Sequence, residues 1–239
     1  MTVYDSILQA RNAGHKLLAI LIDPDKPSSV NKFDESSLPD IFLVGGSLTA
    51  NPVQETILSL KQKYNVPVVL FPGNATQLSD KADALLFLSL ISGRNPDFLI
   101  GQHVLAAPFV HQSGIECIPT GYMLIESGKQ TAVSYISQTS PIPAAKDDIA
   151  VATALAGELL GLRMIYLEAG SGADSPVPPH MISVIRDHLS VPLVVGGGIR
   201  NELQAEQALN AGADMIVVGN SIETDPSLAG RLIACVHSL

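Results

Sequence analysis

The chain has 239 residues, 46% of them hydrophobic and only 15% charged, with 14 basic against 23 acidic side chains and a formal net charge of −9. That composition excludes intrinsic disorder, and an acidic balance with no basic run excludes nucleic acid as a partner. A mean hydropathy of +0.29 leaves a membrane protein, a heavily buried parallel sheet, or a protein that handles greasy material. The first fails, because the least polar stretch, 98–115, is interrupted by Gln102, His103, Pro108, His111, Gln112 and Ser113 and cannot supply the ~20 apolar residues of a spanning helix.

Residues 1–16 carry an amphipathic helical pattern without the layout of a secretory signal, so a cytoplasmic location is expected. Short β-branched or leucine-rich runs, most of them ending in Gly or Asp, then recur at 17–23, 40–46, 67–73, 84–90, 116–125, 164–170, 192–198 and 215–220. Each is too short for a helix and suits a strand buried on both faces. Helical patterns fill the gaps at 51–64, 95–112, 146–161, 178–189, 202–211 and 226–236. Strands alternating with helices imply right-handed βαβ units, and eight of them close into a (β/α)8 TIM barrel, expected to take 1–239 as one domain. An open doubly wound sheet is the other architecture, but no G-x-G-x-x-G follows the first run.

Two stretches depart from the pattern. Residues 74–83 are too few for a barrel helix with its two loops, so the third helix is expected to be short or missing. Residues 126–137 read as a hairpin turning at Gly128, because 131–137 is β-prone. Cys117 and Cys235 sit in apolar contexts without metal spacing and are expected as buried, reduced thiols. The six histidines show no ligand spacing either and are read as surface or helix residues.

In such a barrel the chemistry lies at the C-terminal ends of the strands. Gly196, Gly197 and Gly198 end the seventh run ahead of Arg200, Gly219 and Asn220 end the eighth, and Gly170, Ser171 and Gly172 follow the sixth. Glycine amides and helix starts in these loops form a cradle for phosphate. Across the mouth, Asp23 and Ser47 offer hard oxygen ligands suited to Mg²⁺, which completes its shell with phosphate oxygens. Asp25 is either a further oxygen donor or part of an Asp-Pro turn. Alternation puts Tyr166 and Glu168 on one face of the sixth strand, where an inward carboxylate needs a partner or ligand, while Tyr122 is a mouth residue or ordinary packing. A cradle on amides and a second phosphate on a metal point to a two-substrate reaction.

The runs LIDPDK, FLVGGS, TGYMLIESG, YLEAGSGA, VVGGGIRN and IVVGNSIE together resemble the geranylgeranylglyceryl phosphate synthase family, which includes the PcrB-type enzymes. The resemblance implies transfer of a long polyprenyl group from its diphosphate to the C3 hydroxyl of sn-glycerol 1-phosphate, an ether-lipid precursor. It further implies Mg²⁺ on Asp23 and Ser47, and glycerol 1-phosphate on Tyr166, Leu167, Glu168, Ala169, Gly170, Ser171, Gly172, Gly197, Gly198, Gly219 and Asn220. Tyr122, Gly196 and Arg200 are further candidates, and Glu168, with Tyr166, would orient or deprotonate the hydroxyl. Leu21 stands where some bacterial members carry Lys, which places the chain nearer the archaeal-like second group. A prenyl tail would leave through the thin side, bordered by Ala75, Leu78, Ala82 and Ala84. The family also implies a homo-oligomer, dimer or hexamer, for which 95–112 is either the interface helix or internal packing. Contact with a membrane surface would be transient. A sugar-phosphate isomerase or lyase gives no role to Asp23 with Ser47, and a non-catalytic phosphate-binding barrel predicts binding without turnover and no effect of Glu168→Gln.

Overall fold

The computed structural model describes residues 1–26, 33 and 38–239. Among them are eight strands: β1 Leu17–Ile22, β2 Ile41–Val44, β3 Val68–Leu70, β4 Ala84–Leu90, β5 Glu116–Leu124, β6 Met164–Glu168, β7 Leu193–Gly196 and β8 Met215–Val218. They follow one another in chain order around a closed barrel, every pairing parallel, with β8 returning to β1. The TIM barrel expected from the sequence is the fold. Helices α1 Val3–Asn12, α2 Val53–Lys63, α3 Gln102–Ser113, α4 Ala132–Ser137, α5 Asp147–Leu159, α6 Pro179–Arg186, α7 Glu202–Asn210, α8 Asn220–Thr224 and α9 Ser227–Val236 accompany them, α3 being led in by a π turn over Asp97–Gly101. No helix among the described residues is long and apolar enough to cross a membrane.

Strand alternation sorts the apolar residues into two cores. Ala19, Leu43, Val69, Leu86, Met164, Val194 and Met215 fill the barrel interior. Leu18, Ile20, Phe42, Val68, Ile165, Leu167 and Ile216 face the helices. Burial on both faces is why the strands read as unbroken aliphatic runs, each such side chain contributing ~1.5–3 kcal/mol of hydrophobic stabilisation. The lower end is closed by α1. Its Val3, Tyr4 and Ile7 join the interior core, and the amides of Val3 and Tyr4 donate to the Glu116 carboxylate at 2.7 and 3.0 Å, the favourable place for a negative charge at a helix start.

No helix lies between β3 and β4, as the short connection predicts. Gln77, buried at 4% exposure, stabilises this segment instead: its carbonyl accepts from the Gly73 amide at 3.0 Å and its amide donates to the Gly46 carbonyl at 2.9 Å. Three expectations need correction. Residues 126–137 form no hairpin; although Gly128 does turn the chain (φ +92°), the segment then coils into α4. Thr131 and Ser134 cap each other reciprocally there, Ser134 N donating to Thr131 Oγ1 at 3.4 Å and Thr131 N to Ser134 Oγ at 3.0 Å. A reciprocal cap at the first turn outweighs the β propensity of the residues that follow. Ala82 and Ala84 do not border an opening: Ala82 is packed in the outer core and Ala84 in the barrel interior. Cys117 and Cys235 are free thiols, half-buried where full burial was expected, and burial pushes both above the ordinary thiol range.

Candidate active site

The upper ends of the strands enclose a cavity of about 590 Å³, in the range of small-molecule sites. Parallel register sets its floor: Tyr122 on β5 lies beside Tyr166 on β6, and Glu168 beside Gly196 on β7. The rings of Tyr122 and Tyr166 stand 5.2 Å apart, and Phe71, beyond β3, stacks on Tyr166 at 5.4 Å. Glu168 sits at the centre with 6% exposure, accepting the Gly170 amide at 2.6 Å. Burial raises its carboxyl above the ordinary range, while the Gly170 N–H and the Tyr166 and Tyr122 hydroxyls oppose the shift. Burial, aided by the Glu168 charge, holds both phenols well above their usual value, so they remain protonated donors.

Backbone lines the far wall. A Cβ on Gly197, whose φ is +78°, would stand 2.5 Å from Glu168 Oε1 and 2.6 Å from the Gly170 nitrogen, so only glycine fits and its backbone comes up to the carboxylate. With Gly198 also left-handed at φ +73°, two consecutive glycines bring bare backbone to the wall, where amides are open to an anion. The three wall loops are tied together. Asn220 Nδ2 donates to Ser171 Oγ at 2.8 Å, and Ser221 Oγ to the Ile199 carbonyl at 2.7 Å. Arg200 is exposed and its guanidinium donates to the Ala173 carbonyl. Leu167 does not face the cavity: alternation turns it to the outer core, so of the β6 run Tyr166 and Glu168 present side chains there. Ala169 is buried, its amide donating to the Gly196 carbonyl at 2.9 Å.

Asp23 and Ser47 line the opposite side of the same cavity. Asp23 Oδ1 accepts the Asp25 amide at 3.0 Å, and Oδ2 lies 3.6 Å from Lys26 Nζ, which reaches Glu223 at 2.7 Å. Asp25 does other work: its carboxylate accepts the Ala50 amide at 2.9 Å and the Asn51 amide at 2.8 Å, clasping the loop after β2, and those hydrogen bonds hold it below the usual carboxylate range. Among the described residues no three His, Cys, Asp or Glu gather tightly enough to hold a metal alone. One carboxylate and one hydroxyl is nevertheless the donor set Mg²⁺ takes when phosphate oxygens complete its shell.

A second, narrow apolar groove of about 100 Å³ opens sideways at the helix-free connection. Ala75 and Leu78 line it as expected, with Leu86, Leu88, Phe98, Gln102, His103 and Ala106. Val133 and Ile136 of α4, the helix that sequence reasoning took for a hairpin, supply the remaining wall. Cavity and groove share Gly46, Ser47, Phe71, Tyr122 and Val133. His103, 8% exposed, is a groove residue whose Nε2 pairs with Ser89 Oγ at 2.9 Å, and desolvation keeps its pKa below that of a free imidazole. The apolar spacing of 95–112 gave no sign of which residues would face a groove.

A family model described as the PcrB family matches residues 11–237. The chain belongs to the PcrB family. Among relatives of this family member, the geranylgeranylglyceryl phosphate synthase of Spirosoma linguale is 51% identical over 231 residues, covering 94% of this chain and 93% of the relative. That of Chitinophaga pinensis is 48% identical over 242 residues, covering 99% and 96%. The crystal structure of (S)-3-O-geranylgeranylglyceryl phosphate synthase from Thermoplasma acidophilum in complex with sn-glycerol-1-phosphate superimposes on this PcrB-family chain with a TM-score of 0.92 at 30% identity, both chains covered in full.

Proposed function

We propose that the chain acts as one cytoplasmic domain, 1–239, and transfers a long polyprenyl group from its diphosphate to the C3 hydroxyl of sn-glycerol 1-phosphate. The observation that carries this reading is the junction of the cavity that holds Glu168, Asp23 and the glycine loops with an apolar side groove at Gly46, Ser47, Phe71, Tyr122 and Val133. An anion cradle lies on one side of it, a buried carboxylate at the centre, and a hydrocarbon-lined exit on the other. The names of the relatives, and the sn-glycerol-1-phosphate held by the Thermoplasma acidophilum enzyme, support the same assignment.

The nucleophile's phosphate rests on backbone amides of the loops holding Gly170, Ser171, Gly172, Gly197, Gly198, Gly219 and Asn220, which fixes the glycerol so that its free hydroxyl meets Glu168. Oxygen of that hydroxyl bonds to C1 of the prenyl group, the C1–O bond to diphosphate breaks with its electron pair leaving on diphosphate, and the hydroxyl proton passes to Glu168. A carboxylate whose pKa is raised by burial is the better proton acceptor. Tyr166 and Tyr122 orient it by donating to it. Asp23 and Ser47 would hold Mg²⁺, which when bound neutralises charge gathering on the leaving diphosphate. The groove is narrow, so most of a long tail runs along its open side past Leu78 and Ala106. Exposed Ile100 in the π turn and exposed Val104 and Leu105 on α3 suit contact with a second subunit in a dimer or hexamer, or brief contact with a membrane surface.

Incubation with labelled sn-glycerol 1-phosphate, Mg²⁺ and prenyl diphosphates of graded length tests the reading. Ether product and diphosphate are expected, and chelation of Mg²⁺ stops turnover. No ether with any donor overturns it. An isomerase or lyase on the same cradle leaves the apolar groove without an occupant.

A further inference from the structure

The loop between β5 and α4 lies across the loop after β6 and carries Lys129 over the phosphate cradle. Ser127 O accepts the amides of Asp174 and Ser175 at 3.2 and 3.3 Å. The Cβ position of Gly170 is blocked by the Thr131 side chain, 2.3 Å away. These contacts fix where the loop passes. A Cβ on Gly172 would stand 3.9 Å from Lys129 Nζ and 3.9 Å from Asn220 Nδ2, so an ammonium and a side-chain amide flank the same open space in front of the cradle. Lys129 is held there by Asp174 at 3.2 Å, with side chains 47% and 57% exposed. A pair so exposed is weak. Among the described residues, two further cations at the mouth point elsewhere: Lys26 bridges Asp23 and Glu223, and Arg200 rests on the Ala173 carbonyl.

We infer that Lys129 is the cation that grips the phosphate of the glycerol substrate, exchanging Asp174 for it on binding, and that Asp174 is a built-in competitor setting the affinity. The inference rests on the reading of the cavity as a glycerol 1-phosphate site. A phosphate dianion already hydrogen-bonded to several amides outcompetes a single solvated carboxylate, and the flexible lysine stem lets one ammonium serve both partners.

The test is titration calorimetry with sn-glycerol 1-phosphate, beside steady-state kinetics. Lys129→Gln weakens binding and raises KM for this substrate about tenfold, Lys129→Arg restores most of it, and Asp174→Asn tightens binding about threefold as the competitor is lost. kcat and KM for the prenyl diphosphate stay within about twofold, because neither residue reaches C1. If the pair only fastened the two loops, Lys129→Gln and Asp174→Asn would shift affinity in the same direction, and that result overturns the inference. An unchanged affinity in Lys129→Gln, with wild type binding and turning over, overturns it while leaving the proposed function intact. Failure of wild type to bind sn-glycerol 1-phosphate removes both.

Discussion

Gly196→Ala offers a sharp probe of the site. Gly196 lies outside the left-handed region, so alanine meets no backbone penalty and its cost is steric. The new Cβ would stand 2.1 Å from Tyr166 Oη and 2.8 Å from Cζ, against ordinary contacts of about 3.5 Å, so the phenol must move by roughly 1 Å. Tyr166 cannot yield freely: it is 1% exposed and wedged between Phe71 and Tyr122. Overpacking of this kind costs ~1–3 kcal/mol, which for a chain of this size lowers Tm by about 2–12 °C. Because Tyr166 orients Glu168, displacement by about 1 Å also cuts kcat by up to ~100-fold. Thermal melts and single-turnover rates read the two effects separately. Adding Tyr166→Phe deletes the atom in closest conflict, so the double variant should be more stable than the sum of its parts by ~0.5 kcal/mol or more. A Gly196→Ala protein with wild-type Tm and rate, or a strictly additive double variant, refutes the reasoning.

Glu168 has its pKa raised on folding, so its favourable contribution to stability is present below the unfolded carboxyl value and is lost as pH rises through the folded one. Glu168→Gln should therefore melt above wild type at pH 8 and converge with it toward pH 4, while wild-type kcat falls on acidification at a pH above the ordinary carboxylate range; a pH-independent difference in Tm contradicts the assignment. Asp23→Asn should raise the Mg²⁺ concentration for half-maximal rate by about tenfold or more, whereas Asp25→Asn, which can still accept the Ala50 and Asn51 amides, leaves it within about twofold. A Mg²⁺ shift in Asp25→Asn would show that the clasp is not its function. Ala106→Phe narrows the groove, and with five carbons per isoprene unit at ~0.8 kcal/mol each, ~4 kcal/mol is the ceiling for excluding one unit. Assays across donor lengths should show a 10–100-fold loss of kcat/KM for long donors only, and equal loss at every length counts against the groove as tail site.

The barrel was legible because doubly buried strands are short aliphatic runs, and because parallel topology leaves one chain order for eight of them. Glycine clusters and the carboxylates Asp23 and Glu168 at run ends marked the cavity, since strand ends are where side chains cease to be core. The side groove was legible only as a gap. Alternation along 84–90 does not say that Ala84 stays wholly within the barrel while Leu86, of the same interior core, and Leu88 also line the groove; that depends on shear and on where α3 and α4 settle. The helix at α4 was hidden because Val133, Tyr135 and Ile136 favour strands, and the signal that wins, Thr131 paired with Ser134, is two residues in a polar stretch. Asp25 was ambiguous for a similar reason: its partners are backbone amides 25 residues or more away, which no local pattern reveals.

The plug formed by α1 at the lower end of the barrel constrains traffic. With Val3, Tyr4 and Ile7 sealing one mouth, charged groups enter and leave by the other, and among the described residues the sideways groove is the apolar opening that suits a hydrocarbon tail. For the proposed reaction, diphosphate escapes upward into water as soon as it forms, but the ether product is anchored twice, by its phosphate in the cradle and by its tail in the groove. Detachment then requires both grips to open together, so release of the lipid becomes the natural candidate for the slow step, and a hydrophobic acceptor near the groove would speed turnover without touching the chemistry.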